Sequence, residues 1–532
     1  MTKLFGLQDF IFEKNPTRME LVDYQSKYKA MYCVTIYRNH AFEMVEKTIK
    51  PFLDFSNLGI EFIYSDYDDS LSFYSLDMAS DLIVLWLDTT RYQNIDIKLF
   101  IKSRIQDLNK RYKKHILFIP FGDEFEIEGV ITYSLQPIKE KLANHYIDLR
   151  MEAFSGTKLS TKACAEISRD LGLNYLPILL KPTLKGIVVD LDNTLYKGVL
   201  GEDGVEGVLL TDEHKELQDY LKKLVKKGFF LCIASKNNKD DVKDLFYRRK
   251  DFPLQISDFN VIQAHWDSKA NSILAITHIL NIHVSSLLFI DDNLGELVNV
   301  MNIYPEIHTI WAKENASITL NVLSNYPGLL KLELNQEDYL RSLDIRANQI
   351  RQEMSNSLTH EEFIRGLGVE LTLDINPREK ISRITELANK TNQFIFSYQR
   401  YTANMVQDLM QEKNHLILSI SMRDNLSDSG VIGVIVIHKD QDIAILDECF
   451  ISCRALGRGL DDIIILGAIQ KSLELLDLQK LKVNFISGER NLPAKKFVIQ
   501  HLDKYQNVPN LFQFDIPFEL VKVTIKGDTS ER

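Results

Sequence analysis

Residues 186–194 read Gly-Ile-Val-Val-Asp-Leu-Asp-Asn-Thr, and this stretch decides the fold of its part of the chain. A short β-branched run is typical of a buried strand, and the two carboxylates after it mark the strand's end. Ligands bind at the carboxyl ends of strands in α/β sheets. Two carboxylates this close repel each other unless a cation or a shared proton compensates, and Mg²⁺ is the simplest cation because it takes oxygen ligands and brings phosphates with it. With such a cation bound, one of the two acids can attack phosphorus while its neighbour moves a proton.

Three further segments follow in an order that supports this interpretation. A second apolar strand, Phe229–Ala234, ends in Ser235-Lys236-Asn237. Lys269 comes next, and a third strand, Ser286–Ile290, ends in Asp291-Asp292-Asn293. Each piece alone has an ordinary explanation as a turn, a helix cap or a surface charge. Three such strand ends and a lysine in this order are much harder to obtain by chance than one isolated motif.

Together the segments resemble the four motifs of the haloacid dehalogenase (HAD) phosphotransferases. The resemblance implies that Asp190 accepts the phosphoryl group, that Asp192 is the acid and base, and that Lys269 offsets charge in the transition state. It implies a Mg²⁺ site formed by Asp190, Asp192 (through its backbone carbonyl), Asp291 and Asp292. It implies that the phosphoryl oxygens are held by Thr194, Ser235, Lys236 and Lys269.

The spacing of these motifs predicts a capless, Rossmann-like HAD domain over residues 179–325. Only about forty residues separate the first motif from the second, whereas a cap domain with its own core needs at least ~50. The segment Tyr196–Gly204 is interpreted as a tight glycine-rich flap. An uncapped site suits a phosphate that another domain or protein presents.

Size and composition exclude several other classes of protein. A chain of 532 residues is too long for one core, so roughly two to four domains are expected. Apolar content of 45% and charged content of 26% are ordinary for a soluble globular protein. The net charge of −11 and the lack of a basic block argue against nucleic acid, and no apolar run approaches the ~20 residues that cross a membrane. The five scattered cysteines indicate a reducing cytoplasm.

The first 178 residues alternate strand-like and helix-like segments, which predicts a flavodoxin-like three-layer α/β domain. Its predicted parallel strands are Ala30–Ile36, Ile60–Tyr64, Leu82–Trp86 and His115–Ile119. The domain resembles the SGNH-hydrolase-like module found ahead of some HAD domains, but the loop after the first strand has no Ser. We therefore interpret His40 and Asp148 as loop and cap residues, and the domain as serving docking or architecture.

A connecting helix is predicted over residues 326–354, followed by an α+β domain over residues 355–532. Its antiparallel strands are predicted at Leu416–Ile420, Gly433–Ile437 and Ile443–Asp447. A further strand, an Arg-x-x-Gly-x-Gly loop and a helix follow, and this order resembles the pyrophosphate loop of GNAT-type acyltransferases. A plain glycine turn remains the alternative.

The three domains in one chain resemble the FkbH-like family. The resemblance implies that a carrier's phosphopantetheine arm is bound by Asn392, Gln393, Arg454, Gly457, Arg458 and Gly459. The resemblance implies that the protein takes a phosphorylated three-carbon acid such as 1,3-bisphosphoglycerate, releases phosphate, and loads the glyceryl-like acyl unit as a thioester onto a phosphopantetheinylated acyl carrier protein. The segment 423–430 departs from the family's aromatic, glycine-rich pattern, which puts the acyl group in doubt. Cys453, beside Arg454, is either an acyl-relay nucleophile or a buried, inert strand residue.

Three other functions stay open on the sequence. The chain could be a stand-alone Mg²⁺-dependent phosphatase of a small metabolite, which would need neither Cys453 nor a carrier. It could be a GNAT-type N-acyltransferase that uses acyl-CoA, which would acylate an amine and would tolerate loss of Asp190. A carrier-binding scaffold without chemistry is disfavoured by the intact set of acids.

Overall fold

The computed structural model describes residues 2–527, apart from positions 75, 77, 93–95, 113, 128, 332–346, 348–350, 352–353, 355–357, 392, 453–454, 457–458 and 489–490. Its strands form three sheets. The strands are β1 (Tyr32–Arg38), β2 (Ile60–Tyr64), β3 (Leu82–Asp88), β4 (Ile116–Phe121), β5 (Ile131–Thr132), β6 (Gly186–Val189), β7 (Phe230–Ser235), β8 (Val261–Ala264), β9 (Leu287–Asp291), β10 (His308–Trp311), β11 (Glu370–Ile375), β12 (His415–Arg423), β13 (Asp428–Asp440), β14 (Ile443–Ile451), β15 (Lys480–Val483), β16 (Asn510–Leu511) and β17 (Lys522–Lys526).

Helices occur throughout the described part of the chain. None of them combines the length and the apolar character that crossing a lipid bilayer requires. The α-helices are Thr2–Phe12, Arg18–Asp23, Glu43–Phe55, Ile97–Arg111, Gln136–Leu142, Leu149–Ser155, Thr161–Asp170, Leu176–Leu180, Leu200–Gly207, Asp212–Lys226, Lys239–Arg248, Lys269–Leu280, Leu294–Ile303, Ala316–Ser324, His360–Leu367, Ile381–Lys390, Ala403–Gln411, Asp461–Leu476 and Leu492–Phe497.

The chain divides into two compact units. The first comprises Met1–Thr183, Asp292–Leu294 and Ile310–Leu332. The second comprises Leu184–Asp291, Gly295–Thr309 and Glu333–Arg532. Strands β1 to β5 lie in the first unit, and β6 to β9 and β11 to β17 lie in the second.

The sheet of the first unit is parallel, with the strand order β2-β1-β3-β4-β5. This is the order of flavodoxin-like folds. All residues of β3 and β4 are buried because helices cover both faces, as their continuous apolar sequences predict. The prediction of a parallel, doubly covered sheet is therefore confirmed, while the finer likeness to SGNH hydrolases stays a prediction.

The two polar residues that we interpreted as loop and cap residues are placed as follows. His40 is buried after β1, where its ring stacks on Trp86 at a centroid distance of 4.6 Å and its Nδ1 lies 3.0 Å from the Thr157 hydroxyl. Asp148 is the N-cap of the helix Leu149–Ser155 and accepts a hydrogen bond from the Arg150 backbone N–H. Both side chains therefore have structural partners.

The second sheet has the order β10-β9-β6-β7-β8, and the β9-β6-β7-β8 part is parallel. This is a Rossmann-like order with β6 between β9 and β7. The strands β6, β7 and β9 are wholly buried, as their apolar runs predict. Because the three strands are neighbours and point the same way, the residues at their carboxyl ends meet at one edge of the sheet.

No separate cap domain is inserted between residues 190 and 260, all of which the structure describes. This stretch holds helices, turns and β7 instead. Beginning within the segment predicted as a tight glycine-rich flap, Leu200–Gly207 forms a short helix. The helix is interrupted at Gly204, whose φ of +67° is a conformation that favours glycine. An antiparallel bridge between Lys197 and Leu209 closes the base of this segment.

The third sheet has seven strands in the order β16-β15-β14-β13-β12-β11-β17. Strands β11 to β14 are antiparallel, which confirms the predicted meander, and β15 pairs parallel to β14. The helix Asp461–Leu476 follows β14, as the sequence predicts for the segment after the Arg-x-x-Gly-x-Gly loop.

Alternate residues of β13 enter two different cores, one on each face of the third sheet. Ile435 and Ile437 pack in the core that contains the helix Asp461–Leu476. Val434 and Val436 pack in the core that contains residues of Ile381–Lys390 and Ala403–Gln411. This alternation is the period of two expected of a strand covered on both faces. Most of the predicted connecting helix, residues 326–354, lies outside the described residues.

Candidate active site

Asp190, Asp291 and Lys269 meet at the carboxyl end of the second sheet. Asp190 follows β6, Asp291 ends β9, and Lys269 is the first residue of the helix Lys269–Leu280. The Lys269 Nζ lies 2.9 Å from Asp190 Oδ2 and 2.5 Å from Asp291 Oδ2. All three side chains are buried, with at most 8% of each exposed. The sequence predicted these residues as members of one site, and the structure brings them together.

One buried ammonium group therefore faces two buried carboxylates. Burial raises the pKa of Asp190, and the charge of Lys269 opposes this only in part. Burial acts to lower the pKa of Lys269, but the carboxylates of Asp190 and Asp291 outweigh it, so the pKa of Lys269 lies above its usual value. Lys269 is thus held charged while its single charge is shared between two acids. Among these three side chains one positive charge faces two acids, and a further cation would balance them.

The donor set fits a hard divalent cation. Carboxylate oxygens of Asp190, Asp291 and Asp292 all lie within 4.8 Å of one another. The Asp190 Oδ1 atom is buried and has no hydrogen-bond partner within the described part of the chain. A buried, unpaired carboxylate oxygen is costly unless an ion or a ligand meets it. Oxygen ligands of this kind are those that Mg²⁺ prefers.

Asp192 points its carboxylate at a different set of partners. Its Oδ1 accepts hydrogen bonds from the Tyr196 hydroxyl at 2.7 Å and the Leu200 backbone N–H at 2.9 Å. Its Oδ2 accepts one from Asn237 Nδ2 at 2.9 Å. Burial and the nearby Asp192 raise the pKa of Tyr196, so the phenol keeps the proton it donates. The Asp192 carboxylate is held by neutral donors and is half-buried, which suits a group that must exchange a proton with substrate or water.

Asn237 is a site residue that our sequence analysis did not assign. It is buried, and its Nδ2 donates to Ser235 Oγ at 3.0 Å as well as to Asp192. Asn237 therefore ties the predicted phosphate-binding hydroxyl to the predicted acid and base. The signal was its position two residues after Ser235 at a strand end, but that position also fits a solvated loop. Only the hydrogen bond to Asp192, 45 residues away, distinguishes the two.

The other predicted phosphate ligands are placed differently from one another. Ser235 ends β7 and is buried beside Asn237. Thr194 is also buried, and its hydroxyl has no hydrogen-bond partner among the described residues. Lys236 points outward, is 42% exposed, and forms an ion pair with Glu296. Its role in phosphate binding stays a prediction, and the ion pair indicates that the ammonium group is engaged elsewhere.

Most residues predicted to bind a carrier arm lie outside the described residues. They are Asn392, Arg454, Gly457 and Arg458, and the candidate acyl-relay residue Cys453 also lies outside the described residues. Of the remaining two, Gln393 is half-buried after the helix Ile381–Lys390. Gly459 has a φ of +70°, a backbone conformation that strains any other residue, and a Cβ atom there would lie 2.4 Å from the exposed His360 ring.

Comparisons with known proteins stand beside this geometry. No family model matches the chain, and no curated protein does so either. Among solved structures, the chain is similar to the N-terminal part of the protein BF1531 from Bacteroides fragilis, which contains a phosphatase domain complexed with Mg. The identity is 21%, the match covers 59% of this chain and 100% of that one, and the TM-score is 0.45.

A second similar structure is an uncharacterized protein from Corynebacterium glutamicum ATCC 13032 Kitasato. It is 13% identical, with 26% of this chain and 93% of that one covered, and the TM-score is 0.19. The Bacteroides structure contains Mg, the same ion that the sequence predicts for this chain. At these sequence identities and TM-scores, neither match carries an argument about the function of this chain.

Proposed function

We propose that the site catalyses Mg²⁺-dependent phosphoryl transfer to water, as the HAD-type motifs imply. The observation that carries the proposal is the convergence of Asp190, Lys269 and Asp291 at adjoining strand ends, with Asp192 and its donors alongside. A buried nucleophilic carboxylate, a charged lysine and a separately held acid are the groups that such a reaction needs.

The reaction takes two steps. An oxygen of the Asp190 carboxylate attacks phosphorus, the bond from phosphorus to the leaving oxygen breaks, and Asp192 gives its proton to that oxygen. Water then attacks the phosphorus of the aspartyl phosphate and passes a proton to Asp192, and the bond between Asp190 and phosphorus breaks to release phosphate. Lys269 offsets the charge that builds on the phosphoryl oxygens in both steps. Ser235, whose Oγ accepts a hydrogen bond from Asn237, would donate to one of those oxygens.

Mg²⁺ would be held by Asp190, Asp291 and Asp292, whose oxygens converge as described above. When bound, it supplies positive charge that draws the phosphate toward two otherwise repelling acids. The Asp190 Oδ1 atom supports this assignment, because it is buried without a hydrogen-bond partner among the described residues.

The test uses the full chain with Mg²⁺ and a panel of phosphate monoesters and acyl phosphates. Phosphate release should require Mg²⁺ and should fall to background in Asp190→Asn. Mass spectrometry after borohydride trapping should locate the phosphorylated aspartate at position 190. Asp240→Asn is the matched control, because Asp240 is 85% exposed on the helix Lys239–Arg248. Unchanged phosphate release by Asp190→Asn would refute the proposal.

A finer version of the proposal adds acyl transfer to a phosphopantetheinylated carrier protein, with a phosphorylated three-carbon acid as donor. It is supported by the uncapped site and by the third sheet. There β15 runs parallel to β14, and Gly459 adopts its positive φ just before the helix Asp461–Leu476, an order that resembles the GNAT-like arrangement. A glycine at that position lets backbone N–H groups approach a phosphate.

Intact-protein mass spectrometry tests this finer version. The protein is incubated with 1,3-bisphosphoglycerate, Mg²⁺ and the carrier, and a glyceryl mass on the carrier is the expected result. An adduct on this protein that disappears in Cys453→Ala would make Cys453 the relay, and an adduct that survives would exclude it. Phosphate release without acylation of either the carrier or this protein would exclude acyl transfer and support a stand-alone phosphatase.

A further inference from the structure

A second cluster of metal-ligating side chains lies in the domain that contains the third sheet, away from the strand ends of the second sheet. His415, His438 and Asp447 line one cavity of about 740 Å³. Part of the cavity wall comes from the helix Ala403–Gln411, through Met405 and Leu409. None of these residues has a role in the phosphoryl-transfer site.

The pairing of three strands brings the cluster together. His415 begins β12 and is the cross-strand partner of His438 in β13. Val436 of β13 pairs with Glu448 of β14, but the next residue of β13, Ile437, pairs with Leu446. Asp447 is therefore the extra residue of a β-bulge in β14. Bulges redirect a side chain from its regular position and are common beside functional sites. Here the bulge sets a carboxylate beside the two imidazoles.

The three side chains lie close enough together to reach one ion. One ligand atom from each of the three residues lies within 4.8 Å of the others. His438 Nδ1 is 2.6 Å from Asp447 Oδ2, and the two imidazole rings stack with centroids 5.1 Å apart. All three residues are half-buried, so they are partly shielded from water yet reachable from the cavity.

Two neighbours orient these groups. Glu412 Oε2 lies 2.7 Å from His415 Nδ1, and Asn484 Nδ2 donates to Asp447 Oδ1 at 3.3 Å. Metal-binding histidines commonly have a carboxylate on the second ring nitrogen, and ligating carboxylates are commonly hydrogen-bonded in turn. The cluster thus has both the ligands and the outer partners of a metal site.

We propose that His415, His438 and Asp447 bind one divalent transition-metal ion of the zinc class. Imidazole nitrogen is a good ligand for zinc, copper, nickel and iron, whereas Mg²⁺ prefers oxygen. Structural zinc sites are closed by four protein ligands, while sites that act on a ligand keep a position open. Three protein ligands on a cavity wall match the second kind, so the ion has an open position toward the cavity for an oxygen or nitrogen atom of a bound molecule.

The test titrates the full chain with Co²⁺, followed by its visible absorption, and with Zn²⁺ by calorimetry. Excess Mg²⁺ and the Asp190→Asn variant prevent Co²⁺ or Zn²⁺ binding at Asp190, Asp291 and Asp292 from contributing to the signal. The titration therefore tests the second site even if the proposed phosphoryl transfer is wrong. One equivalent of Co²⁺ should bind with a spectrum of mixed nitrogen and oxygen ligands. His438→Ala and Asp447→Asn should weaken binding by more than the ~10–100-fold expected for the outer-partner variant Asn484→Ala.

His278→Ala is the matched control, because His278 is exposed on the helix Lys269–Leu280, and it should bind as the parent does. Asp447→Asn keeps the side-chain volume, so it remains informative if His438→Ala does not fold. Absence of Co²⁺ absorption in the parent, or equal affinity in parent and Asp447→Asn, would overturn the proposal and leave His438 and Asp447 as a plain hydrogen-bonded pair.

Discussion

Replacing Lys269 by methionine tests the electrostatic arrangement of the active site most directly. The substitution keeps a long side chain but removes the ammonium group that lies 2.9 Å from Asp190 and 2.5 Å from Asp291. Removing one partner of a buried ion pair costs about 3–5 kcal/mol, because it leaves an uncompensated buried charge. Lys269 pairs with two acids, so we expect the upper end of that range without Mg²⁺.

Activity and metal binding should change in opposite directions. Loss of one group that stabilises transition-state charge lowers kcat by ~10²–10³-fold. Mg²⁺ should bind more tightly, because the substitution removes the ammonium group that competes with the ion for the carboxylates of Asp190 and Asp291. At a Mg²⁺ concentration of 100 times its Kd, the ion returns ~2.7 kcal/mol of stability. Much of the loss measured without metal should therefore disappear when Mg²⁺ is added.

Hydrogen exchange read by mass spectrometry is the suitable assay, because a chain of several domains does not unfold in two states. The amides of β6 should exchange faster in Lys269→Met than in the parent without Mg²⁺, and the difference should shrink with Mg²⁺. Lys243→Met is the control, since Lys243 is 57% exposed on the helix Lys239–Arg248. Unchanged exchange together with phosphate release within ~10-fold of the parent would refute the reasoning, as would weaker Mg²⁺ binding.

Four further substitutions test other parts of the molecule. Asn237→Ala should lower kcat/KM by ~10²-fold in phosphate-release assays, because it removes a donor that positions Asp192. Asp192→Asn should cost ~10²–10⁴-fold with an alkyl phosphate but much less with an acyl phosphate, whose leaving group needs no proton; equal losses would contradict its role as acid. Burial lowers the pKa of His40 from 6.5 to about 3. The neutral ring therefore stabilises the folded state fully above pH 6.5, and the free energy of unfolding falls by ~1.4 kcal/mol for each pH unit below 6.5 until the folded-state pKa is reached. Acid unfolding should accordingly be steeper in the parent than in His40→Gln. Glu448 is buried and accepts hydrogen bonds from backbone N–H groups of residues 396, 397, 399 and 449, so Glu448→Gln should cost ~1–3 kcal/mol, seen as faster exchange at those four amides and not elsewhere.

The sequence alone located the strands whose carboxyl ends form the active site. The apolar runs before Asp190, Ser235 and Asp291 are continuous because buried parallel strands have no polar face, and that property is local and visible in a sequence. The antiparallel strands of the third sheet and the helix Asp461–Leu476 were predictable for the same reason, since period and length are local signals.

Only the tertiary structure decided which side chains meet. Asn237 became a site residue because its amide reaches Asp192 across the sheet edge, and Lys269 became a bridge because the start of its helix faces two strand ends. The cluster of His415 and His438 with Asp447 depends on a cross-strand pairing and on one bulged residue. Strand register and β-bulges are set by packing between segments far apart in the chain, so no local sequence pattern predicts them.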